Sequence, residues 1–198
     1  MLDKIREKLL FSKLARKNKD AFSEFYELYI DRMYQYIYYK VNSKEDAEDL
    51  TSAFFLRIWG CIQEGKIEDF KTFKPFLYTV ARNLVIDHYR KISQHKTTIS
   101  LDVQIDKEME ADGATGKDFQ ADEKADLMES LITAIEVEKI KEKLFELKDE
   151  YREVIVLKYI DQLSAKEIAM ILNKSKGNVN VLSHRALRAL KDLVGEKI

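Results

Sequence analysis

Near the carboxyl end of the chain, residues 163–190 read LSAKEIAMILNKSKGNVNVLSHRALRAL, and this stretch decides the fold. Ser164 and Glu167 match the capping box that begins a helix, and the apolar residues that follow recur at helical spacing. Asn173-Lys174 interrupts the pattern, and Ser175 is placed to cap a second, longer helix. A short helix, a tight turn and a longer helix form the outline of a helix-turn-helix.

The second helix of this pair has an apolar side and a basic side. Its apolar residues lie three or four positions apart, as in a half-buried helix: Val179, Leu182, Ala186 and Leu190. Between Asn173 and Lys191 there are five basic residues and no acidic one. Amide and guanidinium groups read base edges in the major groove, and basic groups bind phosphate. The candidate contacts to duplex DNA are Lys174, Lys176, Asn180, His184, Arg185 and Arg188. A helical hairpin with a solvated basic face is the alternative for this segment alone.

The composition excludes several classes of protein. One Pro and six Gly among 198 residues leave few chain breakers, which favours an all-helical protein. No apolar run approaches the roughly 18 residues of a membrane span, and the amino terminus lacks the apolar core of a signal peptide. Since Cys61 is the single cysteine, we expect a core thiol and no cysteine-based metal site. The prediction is a cytoplasmic protein with no direct membrane insertion, no cofactor and no metal.

The charge is unevenly distributed although the net charge is only −1. Residues 102–126 contain nine acidic and three basic residues, and the polar segment 93–125 has no helical periodicity. We therefore predict an all-α protein of two small helical domains, 1–92 and 126–198, joined by an acidic flexible linker over 93–125. The predicted helices cover residues 3–17, 20–42, 43–62, 126–147 and 149–160, together with one that has Pro75 in its first turn after a loop over 63–73.

An enzyme is not predicted. The chain has three scattered histidines, one cysteine and no glycine-rich phosphate loop, so no set of residues resembles a catalytic site. His88 is expected to be packed or to cap a helix.

Three blocks of sequence resemble the extracytoplasmic-function (ECF) sigma factors of bacterial RNA polymerase. Residues 46–59, DAEDLTSAFFLRIW, are similar to the family's region 2.2. Residues 76–90, FLYTVARNLVIDHYR, are similar to regions 2.3 and 2.4, and residues 151–187 are similar to region 4. The order and spacing of the blocks cover nearly the whole chain.

The resemblance implies a protein without catalytic chemistry that docks on core RNA polymerase, directs it to a promoter and helps to open the duplex. Region 2.2 would pack on the β′ clamp helices, with Asp46, Asp49 and Ser52 offering acceptors to that basic surface. The candidate contacts of the helix-turn-helix would then bind the −35 element, and region 4 would meet the β flap. An anti-sigma factor is a common partner in this family.

The resemblance also places single-stranded −10 DNA against the helix that contains Pro75. Base stacking is expected from three aromatic residues: Phe70, Phe73 and Tyr78. Phosphate contacts are expected from three cationic residues: Arg82, Arg90 and Lys91. Asn83 would bond a base edge, and Asp87 either joins this interface or pairs with a neighbouring arginine. For Phe73 and Phe76, core packing is the competing interpretation.

Two other functions stay open at this point. The first is a transcriptional regulator that uses the helix-turn-helix independently of polymerase; the blocks 46–59 and 76–91 argue against it. The second is a polymerase-binding adaptor that no longer recognises promoters. It is kept open by Ser52-Ala53, where the family usually has Gln-Glu, and by Asn180, where the recognition helix commonly has a basic residue.

Overall fold

The computed structural model describes residues 2–67, 69–97 and 137–195. Four helices form the amino-terminal part: α1 (Leu2–Ala15), α2 (Lys19–Tyr38), α3 (Lys44–Gln63) and α4 (Phe70–Thr97). The carboxyl-terminal part comprises α5 (Val137–Glu146), α6 (Asp149–Ile155), which continues as a π-helix over Val156–Ile160, α7 (Ala165–Leu172) and α8 (Lys176–Val194). Within the described residues there are helices and no strand, which confirms the predicted all-α class. Most of the predicted acidic linker lies outside them.

The amino-terminal helices are fixed by side-chain caps and by an aromatic core. The Asn18 and Ser43 side chains accept hydrogen bonds from the backbone N–H groups of Ala21 and Asp46, each at 3.0 Å. The rings of Phe25, Phe55 and Phe73 are buried where α2, α3 and α4 meet. The centroid of the Phe25 ring lies 5.6 Å from that of Phe55, in an edge-on pair, and 5.9 Å from that of Phe73, in a tilted pair. Aromatic quadrupoles favour such arrangements. Cys61 is buried, as predicted for a core thiol.

Helix α4 differs from its predicted form at both ends. It begins at Phe70, because Asp69 caps it by accepting a hydrogen bond from the Lys71 N–H at 2.9 Å. Pro75 therefore lies inside the helix and not in its first turn. The helix also continues to Thr97, past residue 92, where the domain boundary was predicted.

The helix-turn-helix forms as the sequence predicts. Ser164 and Glu167 make a complete capping box at the start of α7, and Ser175 caps α8 through the Asn178 N–H. The turn is closed by Asn173, which adopts a left-handed conformation (φ 52°) as asparagine tolerates. The first helix of the pair thus ends at Leu172 and the second begins at Lys176.

The two parts of the molecule pack against each other, with α4 against α7. Lys141 of α5 lies over the Tyr38 ring of α2, 3.6 Å from the centroid. Glu153 of α6 reaches α2, where it accepts a hydrogen bond from the Tyr36 hydroxyl at 2.6 Å. This arrangement decides which of the predicted DNA contacts are exposed.

Candidate nucleic-acid interface

The surface of α8 presents the predicted −35 residues to solvent. Val179, Ala186 and Leu190 are buried against the rest of the domain, and Leu182 is partly buried. Four predicted contacts follow one another at intervals of four residues and are all exposed: Lys176, Asn180, His184 and Arg188. At 1.5 Å per residue they form a stripe about 18 Å long, and Arg185 lies exposed beside it.

Lys174, the remaining predicted −35 residue, is exposed in the turn before α8. Its ammonium lies 3.2 Å from the Glu150 carboxylate of α6. A DNA phosphate at this position would compete with a carboxylate on the same domain, and a partly exposed pair of this kind contributes little stability. A DNA phosphate can therefore bind Lys174 only if it displaces the Glu150 carboxylate.

The outer face of α4 holds four of the predicted −10 residues. Asn83, Asp87, Arg90 and Lys91 are exposed. Arg90 lies 3.1 Å from Asp87 on the next turn, so the salt bridge considered for Asp87 is present. Asn83 keeps its amide free for a base edge, one turn before that pair.

Two of the three residues predicted to stack on bases are buried in the structure. Tyr78 is fully buried, and its ring packs edge-on against Tyr36 with the centroids 5.1 Å apart. Phe73 is 3% exposed and packs against Phe11, Phe25 and Tyr29. A base cannot stack on either ring without opening the core. Phe70, which is half-buried at the start of α4 beside Phe11, keeps one side toward solvent.

Arg82 occupies an intermediate position between the two domains. Its side chain is 35% exposed, its Nε lies 3.7 Å from the Glu153 carboxylate, and that Nε has no hydrogen-bond partner. The predicted −10 phosphate contact is therefore half-covered by the helix-turn-helix domain. Sequence reasoning missed Glu153, Lys40 and Tyr36, which surround it, because Glu153 lies 113 positions from Lys40 and 117 from Tyr36 and shares no sequence pattern with them.

The predicted polymerase-docking residues lie along the start of α3. Asp49 and Ser52 are exposed, and the Ser52 hydroxyl donates to the Glu48 carbonyl at 3.0 Å. Asp46 is half-buried, with its carboxylate 3.6 Å from Nε2 of His88 on α4, so His88 is packed as expected. Of these three residues, Ser52 lines an apolar groove between α2 and α3.

That apolar groove is a feature the sequence analysis did not identify. Its volume is about 560 Å³, and its walls are mostly aromatic or aliphatic: Phe22, Tyr26, Ile30, Phe55, Leu56 and Trp59. Leu56 is 74% exposed. In the sequence, Leu56 falls outside the core-facing stripe of α3, which consists of Ala47, Leu50, Phe54, Ile58 and Cys61. An apolar residue outside this stripe is the signal from which the groove could have been predicted. The polar residues that line the groove are Ser52 and Lys19.

In the described residues, no cluster of three or more histidine, cysteine or acidic side chains could hold a metal ion. None of the described helices has the length and apolar composition of a membrane-crossing segment.

Comparison with known proteins decides the family. Residues 25–95 match the model of sigma-70 region 2, and residues 138–190 match that of sigma-70 region 4. The ECF RNA polymerase sigma factor SigW of Bacillus subtilis (strain 168) is 34% identical over 181 residues, which are 90% of this chain and 91% of SigW. The chain belongs to the ECF sigma factors.

A second relative supports this membership, and two solved structures share the fold. The ECF sigma factor BldN of Streptomyces coelicolor (strain ATCC BAA-471 / A3(2) / M145) is 30% identical over 97% of this chain and 67% of BldN. The fold is similar to that of CnrH in its complex with the cytosolic domain of CnrY (TM-score 0.64, 19% identity, 96% of this chain and 97% of CnrH). It is also similar to RpoE of Bartonella quintana bound to NepR (TM-score 0.67, 17% identity, 89% of this chain and 98% of RpoE).

Membership of the family establishes the activity. This ECF sigma factor binds core RNA polymerase, recognises the −10 and −35 promoter elements and promotes transcription initiation. It contributes binding energy and no catalytic group, as non-enzymatic initiation factors do. The polymerase-independent regulator is not favoured.

Proposed function

We propose that α8 reads the −35 element as duplex, with the Lys176–Asn180–His184–Arg188 stripe and Arg185 facing the major groove. The observation that carries this proposal is the exposure of all five side chains on one polar side, with the buried stripe of Val179 and Leu190 opposite. Lys174 adds a phosphate contact from the turn. Arginine can bond guanine bidentately, and lysine supplies a point charge to phosphate.

The −10 element is assigned to the outer face of α4. Asn83 contacts an unstacked base, Arg90 and Lys91 contact the strand backbone, and Phe70 is the stacking residue that stays accessible. Asp87 orients Arg90 through their 3.1 Å salt bridge. Arg82 joins this interface once its contact with Glu153 is released.

The docking face for core polymerase is assigned to α3 and the neighbouring groove. Asp46, Asp49 and Ser52 face the basic β′ clamp helices, and the apolar groove with Leu56 receives an apolar part of the same surface. The helix-turn-helix domain meets the β flap. Since polymerase and promoters are in the cytoplasm, the protein acts there.

An anti-sigma factor is proposed as a further partner. CnrH and RpoE, which share this fold, were each solved with such a protein or its cytosolic domain. Their identity to this chain is below 20%, so what carries over is the fold, and the surface that such a partner would cover here is not assigned.

The −35 assignment is tested with Arg185→Ala and Arg188→Ala. Each is expected to weaken holoenzyme binding to a −35-containing promoter by about 10-fold or more, since a base-reading arginine contributes roughly 1–3 kcal/mol. Gel shifts with core polymerase measure this. Asp192→Asn, an exposed change near the end of the same helix, is the matched control. Wild-type affinity in both arginine variants would show that α8 does not enter the groove.

A further inference from the structure

Glu153 occupies an anion site made entirely by the amino-terminal domain. One carboxylate oxygen accepts a hydrogen bond from the Tyr36 hydroxyl at 2.6 Å, and the other accepts one from the Lys40 ammonium. The Lys40 ammonium also donates to the Tyr36 hydroxyl at 3.2 Å. The Arg82 guanidinium lies 3.7 Å from the carboxylate. Lys40 and Glu153 are both at least 90% buried, so this is a built site rather than a surface pairing.

The contact is ill-suited to a permanent interface. Burial lowers the pKa of Lys40, and the nearby Glu153 carboxylate only partly opposes this. Arg82 Nε is buried at this boundary without a hydrogen-bond partner. Burying paired charges costs about as much as the pairing returns, and each unsatisfied polar atom adds to the cost. Domains joined in this way separate readily.

The position of the site points to its other occupant. Arg82 immediately precedes Asn83 on α4, next to the surface assigned to the −10 strand. A hydroxyl, an ammonium and a guanidinium that converge on one anion bind a phosphate as well as a carboxylate. When Glu153 leaves, the amino-terminal domain keeps two cations and no carboxylate at this point.

We propose that Tyr36, Lys40 and Arg82 form a binding site for a backbone phosphate of the promoter strand, which Glu153 fills in the free protein. This inference rests on the −10 interface proposed for α4 and extends it onto α2. Glu153 and DNA then compete for one site. The free protein is closed over part of its −10 surface, and separation of the domains on core polymerase exposes it.

The closed state is tested by the distance between the domains in the full-length free protein. Spin labels are placed on cysteines at the exposed positions Arg57 and Asp192, in a Cys61→Ala background. Glu153→Gln is expected to replace a single narrow distance distribution by a broad one that extends to longer distances. Glu142→Gln, the same change at an exposed site on α5, is expected to leave the wild-type distance distribution unchanged. An unchanged distance in Glu153→Gln would show that Glu153 does not hold the domains together, and this readout needs neither DNA nor polymerase.

The phosphate site is tested with fluorescein-labelled oligothymidine, because phosphate contacts do not depend on base sequence. Glu153→Gln is expected to bind oligothymidine about 10-fold more tightly than wild type. A gain of this size corresponds to a wild-type protein of which about one tenth is open and able to bind at any time. Adding Lys40→Gln is expected to reverse this gain. It should also lower the slope of log affinity against log salt by about 0.7, the value of one single-strand phosphate contact.

The two halves of the inference fail differently. If Glu153→Gln and the double variant bind oligothymidine with equal affinity and salt slope, Lys40 is no phosphate ligand and the proposal is overturned. If Glu153→Gln opens the domains without any gain in affinity, Glu153 and DNA do not compete. Loss of the −35 gel shift in the Arg185→Ala holoenzyme is independent of both results, so it reports on the −35 assignment of α8 alone.

Discussion

Single residues separate core from interface in this sigma factor, and the aromatic residues show why sequence alone assigns them poorly. Phe70, Phe73 and Tyr78 share one helix and one chemistry. Their exposure depends on which side of α4 packs against α1 and α2, and Phe11 and Tyr36 are the partners that decide it. The basic residues of α8 were predictable because an apolar stripe on the same helix fixes their direction. On α4, in contrast, the aromatic residues themselves belong to the apolar stripe of the helix or border it.

The burial of Phe73 leads to a stability prediction. Phe73→Ala is expected to lower the free energy of unfolding by about 3–5 kcal/mol, since it opens a cavity in a close-packed aromatic cluster. Phe70→Ala, at a half-buried ring three residues away, should cost clearly less. Urea denaturation of both variants followed by circular dichroism measures the difference. Equal, small losses for the two variants would place Phe73 at the surface and return it to the DNA interface.

At the scale of helices, most boundaries followed from capping chemistry. Ser164 and Ser175 were identified from the sequence and both cap helices. The errors have equally local causes. Asp69 caps α4 ahead of Pro75, so the proline was a misleading start signal. The π-helix over Val156–Ile160, closed by the Asp161 N–H bonded to the Val156 carbonyl at 2.9 Å, has no sequence pattern that distinguishes it from an α-helix.

The capping box of α7 can be tested directly. Ser164→Ala removes the side-chain acceptor for the Glu167 N–H and a partner of its carboxylate. It is expected to lower the free energy of unfolding of the helix-turn-helix domain by about 1 kcal/mol. Ser23→Ala, an exposed change inside α2, serves as the control and should stay within about 0.5 kcal/mol of wild type. Identical thermal unfolding of the two variants would mean that the capping box contributes nothing.

At the scale of the whole molecule, the sequence predicted two helical domains but not how they meet. The domains are held by contacts such as Tyr36–Glu153, in which residues 117 positions apart come together. No periodicity or motif connects such residues. Asp161 is a second acidic residue at this boundary: it is 5% exposed, and burial raises its pKa to about 7, with Glu153 adding to the increase. Tyr78 and Lys74 of α4 and Arg32 of α2 act in the opposite direction.

This pKa predicts how domain closure depends on pH. In the closed state the Asp161 carboxyl keeps its proton up to about pH 7. In the open state, where the carboxyl has an ordinary pKa, it loses this proton near pH 4. Closure is therefore strongest at low pH and weakens as pH rises from about 4 to 7, with no further change from this group above that. The Arg57–Asp192 label distance measured across this range checks it. Asp161→Asn should remove the dependence, and a closed state that tightens with rising pH would contradict the prediction.

The central claim is that this chain is the promoter-specificity factor for core polymerase and binds both elements itself. Run-off transcription with core polymerase, with and without the protein, tests it on a pool of promoters that includes the region upstream of its own gene. We predict protein-dependent transcripts with a fixed start, whose templates share a −10 and a −35 sequence. Transcripts that are the same without the protein, or none at all despite stable binding to core, would contradict the claim.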